Sequence, residues 1–173
     1  MTEVAPTAAA VDVGLLIIRV LVGVVFAGHG FQKLFGWFGG GGLTATAGWF
    51  KSLGFGDGRT AAVMAGATEI AGGLGLAAGL LTPLAAAGVI GVMTVAAYQN
   101  ATTKGFWSAG GGWELNYYLI AVALGLATAG PGAFSLDAAL GWTVDGLWPG
   151  LAALGLGVGL GTLRWATRDA SAG

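Results

Sequence analysis

The chain has 173 residues, of which 55% are hydrophobic and only 9% are charged, and its mean hydropathy is +0.80. Soluble domains carry about 25% charged residues, so this composition excludes an ordinary soluble domain and indicates an integral membrane protein. The chain has no Cys and a single His, which excludes disulfides, thiol relays, Fe–S clusters and Cys-ligated metals within it. A net charge of -1 with seven scattered Lys and Arg residues gives no basic patch. We therefore expect no metal site, no covalently attached cofactor and no nucleic-acid partner.

The first long apolar run also contains more polar side chains than any other apolar run of the chain. Residues 1–12 contain no Lys or Arg, lack the basic start of a secretory signal peptide, and are predicted to be a tail. Residues 13–35 are predicted to cross the membrane, since about 20 apolar residues at ~1.5 Å each cover a ~30 Å hydrocarbon core. Four polar side chains interrupt this run: Arg19, His29, Gln32 and Lys33. The ionisable ones share one helical face, so they either face a protein interior or reach the two interfaces.

A short amphipathic segment follows the first span. Glycines between residues 36 and 42 break regular structure, and residues 43–55 then resume helical spacing. Trp49 and Phe50 beside Lys51 suit a helix lying in the membrane interface or a re-entrant hairpin. The run is too short to cross, so we favour the interfacial helix.

Three further spans are predicted, at residues 60–81, 84–98 and 115–129. The second span carries one charge, Glu69. Thr82 followed by Pro83 separates the second and third spans, because Pro disfavours a helical residue before it and suits the first turn of a helix. After the fourth span, Ser135 is placed to cap a short turn that starts at Leu136.

Charge distribution predicts the topology. Residues 147–163 form a marginal, Gly-rich fifth span, and residues 164–173 a cytoplasmic tail. Five spans place every Lys and Arg except Arg19 on one side of the membrane, which the positive-inside rule makes the cytoplasm. The fold class is therefore all-α: a polytopic membrane protein with four spans over residues 13–145, an additional C-terminal membrane helix and an interfacial helix. The N-terminus is outside.

Depth within the membrane predicts how the polar groups meet. From the ~1.5 Å rise per residue, His29 lies roughly 5 Å from the cytoplasmic boundary, Glu69 about 13 Å and Arg19 about 21 Å. Side chains lean toward the N-terminus of their own helix, so His29 and Glu69 are predicted to converge, with Gln32 or Lys33 nearby. Such a pair can exchange protons, or it can simply hold two helices together.

The sequence resembles the DoxX family of small bacterial membrane proteins over residues 15–137. The segments that carry the resemblance are RVLVGVVFAGHGFQKLFG, LTATAGWFKSLGF, AGATEIAGGLGLAAGLLTPLAA and GGWELNYYLIAVALGLATAGPGAFSLD. The resemblance implies a four-helix membrane bundle in a bacterial inner membrane. The positions that match the family pattern are Arg19, His29, Gly30, Lys33, Glu69, Gly73, Glu114, Ser135 and Asp137.

Two functions are compatible with that resemblance. The family is named for similarity to a subunit of a thiosulfate:quinone oxidoreductase, and relatives are linked to membrane oxidoreductase assemblies that handle thiols and oxidative stress. The first hypothesis is a quinone-linked accessory subunit, in which Glu69 and His29 exchange protons and a redox enzyme is the partner. The proposed ligand-binding residues are Arg19, Gln32 and Lys33. The alternative is a non-enzymatic membrane scaffold or small-solute carrier, and either protein can form a homo-oligomer in contact with lipid.

Overall fold

A computed structural model describes residues 8–169, and within that range the chain forms α-helices and short 3-10 turns but no strand. The α-helices are α1 (Ala8–Phe35), α2 (Gly42–Ser52), α3 (Arg59–Ala78), α4 (Thr82–Lys104), α5 (Glu114–Ala129), α6 (Leu136–Leu140) and α7 (Leu147–Ala166). Of these, α1, α3 and α4 are long and apolar enough to cross a bilayer, and α5 is a shorter apolar helix. The predicted all-α polytopic membrane fold is confirmed.

Two helices extend beyond the spans predicted for them. Helix α1 is already helical at Ala8, so residues 8–12 belong to the helix; the rest of the predicted tail lies outside the described residues. Helix α4 continues past the predicted end at residue 98 to Lys104. In its polar last turn, the Thr102 and Thr103 hydroxyls donate to the Gln99 carbonyl at 2.9 and 3.1 Å, so both side chains find a partner within the helix. Side-chain polarity therefore marked the expected edge of the membrane and not the end of the helix.

Glycines bring α1 and α3 into backbone contact. A Cβ added to Gly30 would lie 2.5 Å from the Gly66 carbonyl oxygen, and one added to Gly73 would lie 2.5 Å from the Gly23 carbonyl oxygen. As α1 advances, its contacts move back along α3, so the two helices are antiparallel. Small residues that let helices approach closely are typical of membrane proteins. This glycine seam, formed by Gly23, Gly30, Gly66 and Gly73, fixes the vertical register of the two helices.

Helix α4 lies at the centre of the bundle. It packs against α3, α5 and α7, and its Val89 and Ile90 side chains are fully buried with Ala123 of α5. The buried residues of α7 are all small, and two of them face α4: Cβ atoms added to Gly157 and Gly161 would each lie 2.7 Å from an α4 carbonyl oxygen. The contact positions rise in the same direction along both helices, so α4 and α7 are parallel.

That parallel packing bears on the predicted fifth span. Residues 147–163 lie within α7, which is not one of the three helices apolar and long enough to cross by composition alone. A helix packed side by side and parallel to a spanning helix crosses in the same direction. This packing favours the predicted fifth span, which stays a prediction, and the orientation of the termini stays a prediction that rests on charge distribution alone.

Aromatic side chains close the end of the bundle at which α1 and α7 end and α3 begins; we call this the inner end. Phe50 of α2 and Phe55 are buried there, and their rings stand 5.5 Å apart. Trp165 of α7 approaches Phe55 to 6.1 Å between ring centroids. The predicted amphipathic helix thus exists as α2 and covers the inner end, next to the site described below.

Candidate ligand-binding site

A partly open cavity of about 1100 Å³ lies among the helices. Its walls are built mainly from Ala, Gly, Leu, Val, Met and aromatic side chains of α1 to α5 and α7. The polar side chains that reach it are His29, Lys33, Thr68, Glu69, Gln99, Asn116 and Arg164. Ligand sites in proteins are commonly of this kind, an apolar cavity with a few convergent polar groups. A ligand that fits these walls is mostly apolar and carries a polar head.

The strongest polar feature of the cavity is an ion pair between α1 and α3. The Lys33 Nζ lies 2.8 Å from each carboxylate oxygen of Glu69. The Glu69 side chain is 3% exposed and the Lys33 side chain 25% exposed. The end of α1 is held in turn by α2, because the Thr46 hydroxyl donates to the Lys33 carbonyl at 3.2 Å. The pair therefore has one buried member and one member that faces accessible space.

The predicted pairing of Glu69 with His29 is wrong, because Lys33 is the partner of Glu69. The contacts of Gly30 with Gly66 and Ile70 put His29 level with Glu69, not about 8 Å away in height as the helix ends suggested. In antiparallel helices, level side chains lean apart. Lys33 lies one turn nearer the inner end of α1, so its side chain and that of Glu69 lean toward each other.

His29 and Gln32 form a second polar pair at the cavity. The His29 Nδ1 lies 3.0 Å from the Gln32 Oε1, and the Gln32 Nε2 donates to the Phe38 carbonyl at 3.2 Å. His29 is exposed and lines the cavity, as do Lys33 and Glu69. The structure therefore brings together four of the five residues that the sequence proposed, with Gln32 acting through its contact with His29.

Arg19 is the proposed site residue that lies elsewhere. Its side chain is 1% exposed and does not line the cavity. The guanidinium donates to the Ala77 carbonyl at 2.8 Å and to the Phe134 carbonyl. The glycine seam places Arg19 level with the C-terminal end of α3, far along that helix from Glu69. The single polar face predicted for α1 is thus divided between the two ends of the bundle.

Comparison with protein families identifies the class of protein. The DoxX family model matches residues 14–102, which include α2, α3, most of α1 and most of α4. The chain belongs to the DoxX family. Searches of curated proteins and of solved structures give no match. The predicted family is confirmed, although the matched region ends before Glu114, Ser135 and Asp137.

In this DoxX protein, the residues around Asp137 hold the opposite end of the bundle, which we call the outer end. Asp137 is 2% exposed and accepts hydrogen bonds from the Leu81 N–H at 2.7 Å, the Thr82 N–H at 3.0 Å and the Thr82 hydroxyl at 2.8 Å. The two N–H groups stand at the start of α4, where a helix leaves its first donors without a partner of its own, and Leu81 has no side chain that could cap them. Ser135 accepts from the Ala138 N–H at 3.1 Å, which confirms the predicted cap of the short helix.

Two polar residues of α5 were missed or left without a role by the sequence. Asn116 is buried at the cavity wall, where its amide donates to the Met93 sulfur at 3.4 Å and its carbonyl accepts from Asn100 at 3.2 Å. A single Asn between Leu115 and Tyr117 gave no signal of burial in the sequence. Glu114, the first residue of α5, holds the preceding loop: its carboxylate accepts hydrogen bonds from both the Ser108 N–H and the Ser108 hydroxyl. Glu114 does not line the cavity.

Proposed function

We propose that this DoxX protein is a membrane subunit that binds a lipid-soluble quinone and works beside a redox partner. The observation that carries the proposal is the apolar cavity with the Lys33 and Glu69 ion pair on its wall. A quinone has the same division, with an apolar tail and a ring whose oxygen atoms need hydrogen bonds. Family membership adds weight, because the family is named for similarity to a subunit of a thiosulfate:quinone oxidoreductase.

The polar groups can serve both redox forms of such a head group. An ammonium has three N–H donors, and Lys33 makes two hydrogen bonds to Glu69 while remaining partly exposed, so its third N–H can donate to a ring carbonyl. Glu69 and His29 can accept a hydroxyl proton of the reduced ring and return it. The chain holds no Cys, so any thiol that supplies the electrons belongs to the partner or to a soluble reductant.

The direct test is to identify the lipids that stay with the protein after mild detergent extraction from its native membrane. Wild-type protein is expected to retain quinone, measured by mass spectrometry, whereas Glu69→Gln and Lys33→Met are expected to lose most of it. Glu114→Gln and Lys104→Met make the same chemical changes outside the cavity and serve as matched controls that should retain it. Absence of quinone from wild-type protein in several mild detergents would refute the proposal.

The scaffold alternative is favoured by the outer end, where Arg19 and Asp137 make hydrogen bonds between elements and do not line the cavity described above. It predicts that Glu69→Gln protein accumulates normally and restores growth of a deletion strain under oxidative stress. The quinone proposal predicts normal accumulation with loss of that protection. A co-purified oxidoreductase that remains bound to Glu69→Gln protein would show that partner binding and ligand binding are separate.

A further inference from the structure

A chain of two hydrogen bonds connects the α1 to α2 turn to the imidazole of His29. The Gln32 Nε2 donates to the Phe38 carbonyl, and the Gln32 Oε1 faces the His29 Nδ1. Phe38 has a left-handed backbone conformation with φ of 53°, which the turn between α1 and α2 imposes. Gln32 is also confined by its surroundings, since a Cβ added to Gly40 would lie 2.5 Å from the Gln32 Cβ. The orientation of the Gln32 amide is therefore set by the turn.

This orientation decides which nitrogen of His29 carries the proton. A backbone carbonyl can only accept, so the Gln32 group that faces Phe38 must be the amide NH₂. The group left to face His29 is the Gln32 carbonyl oxygen, which also can only accept. The Nδ1 of a neutral His29 must then be the protonated nitrogen, and its Nε2 keeps a free lone pair.

We propose that Gln32 is a positioning residue, which holds neutral His29 as the Nδ1–H tautomer and so makes Nε2 the hydrogen-bond acceptor offered to a hydroxyl of the bound head group. The inference rests on the proposed function for the ligand, and it narrows that ligand to a head group with a donor. Lys33 supplies a donor at the same cavity and His29 an acceptor, so a hydroquinone satisfies both. A fully oxidised quinone has no donor for His29 and is expected to bind less tightly.

The single His of the chain makes the tautomer directly measurable. Full-length protein labelled with ¹⁵N-His, carrying an affinity tag without His, gives imidazole ¹⁵N signals from His29 alone. In alkaline buffer the wild-type spectrum should show the bonded proton on Nδ1. In Gln32→Leu the ratio of tautomers should move about fivefold toward Nε2–H, which is the effect of losing one ordinary hydrogen bond.

Gln32→Glu is the matched control, because a carboxylate still accepts from Nδ1 but cannot donate to the Phe38 carbonyl. It should keep the Nδ1–H spectrum even though the turn has lost a bond. A merely structural Gln32 would instead leave the His29 spectrum unchanged in both variants. A wild-type spectrum with the proton on Nε2, or an unchanged spectrum in Gln32→Leu, would overturn the inference.

Ligand affinity gives the second measurement. A short-chain benzoquinone and its hydroquinone, titrated into protein in nanodiscs, should bind wild type with the hydroquinone favoured, and Gln32→Leu should lose that preference. If both forms bind wild type equally, the inference is wrong while the proposed function stands. If neither form binds but the tautomer shifts as expected, the proposed function fails and the positioning role of Gln32 stands.

Discussion

Replacing Asp137 with Asn is expected to destabilise the protein although the two side chains have nearly the same shape. The Asp137 carboxylate accepts three hydrogen bonds, from two backbone N–H groups and one hydroxyl at the start of α4, and it is 2% exposed. An Asn keeps one accepting oxygen. Its NH₂ group then faces at least one donor of Leu81 or Thr82, so that buried donor loses its partner.

The size of the effect follows from those bonds. A hydrogen bond to a charged acceptor contributes about 1.5–3 kcal/mol, and a buried donor left without a partner costs about 1–3 kcal/mol. The same substitution removes the negative charge that acts on buried Arg19. We expect a loss of about 3–5 kcal/mol in the free energy of unfolding. For a chain of this length that corresponds to a fall of roughly 10 °C in the melting temperature.

The assay is thermal unfolding in a mild detergent, followed by circular dichroism. Asp145→Asn makes the same change at an exposed position of the loop before α7 and should melt like wild type. Thr82→Val removes one of the three donors and should have a smaller effect, which becomes smaller still in the Asp137→Asn background because the two residues are coupled. If Asp137→Asn has the same melting temperature as the Asp145→Asn control, Asp137 does not cap α4 as described.

Three further outcomes are expected. Gly30→Ala should lower the melting temperature and cellular abundance, because its Cβ would lie 2.5 Å from a carbonyl oxygen of α3, whereas Gly28→Ala, with no atom within 4 Å, should not. Lys33→Met should lower the free energy of unfolding more than Glu69→Gln, since it leaves the more buried charge without a partner. The double variant should recover part of that loss, and strictly additive changes in the free energy of unfolding would disprove the ion pair. A reporter fused after Gly173 should be cytoplasmic, and an external reading would remove α7 from the membrane.

The sequence was sufficient to predict which segments form helices and to identify the family. Apolar runs near the length of a bilayer gave the spanning helices, and amphipathic spacing gave α2. The Ser135 cap was predicted from a local rule, because the hydroxyl and the N–H it accepts from are three residues apart. Such features depend only on neighbours along the chain.

The features that the sequence missed depend on how two elements sit against each other. The partner of Glu69 was mistaken because height was counted from helix ends, while the true register of α1 and α3 is set by glycine contacts in the middle of both helices. The cap of α4 was missed because Asp137 lies 55 residues beyond Thr82 along the chain.

The polar groups at the two ends of α1 differ in whether they are accessible from the cavity. At the outer end, Arg19 is 1% exposed, is held by backbone carbonyls of α3 and of the segment before α6, and does not line the cavity. At the inner end, Lys33 and His29 are bonded on one side and open to the cavity on the other. The glycine seam holds both ends at fixed height on the same two helices. Binding chemistry is therefore expected at the inner end, and the outer end keeps the helices in the register that the inner site needs.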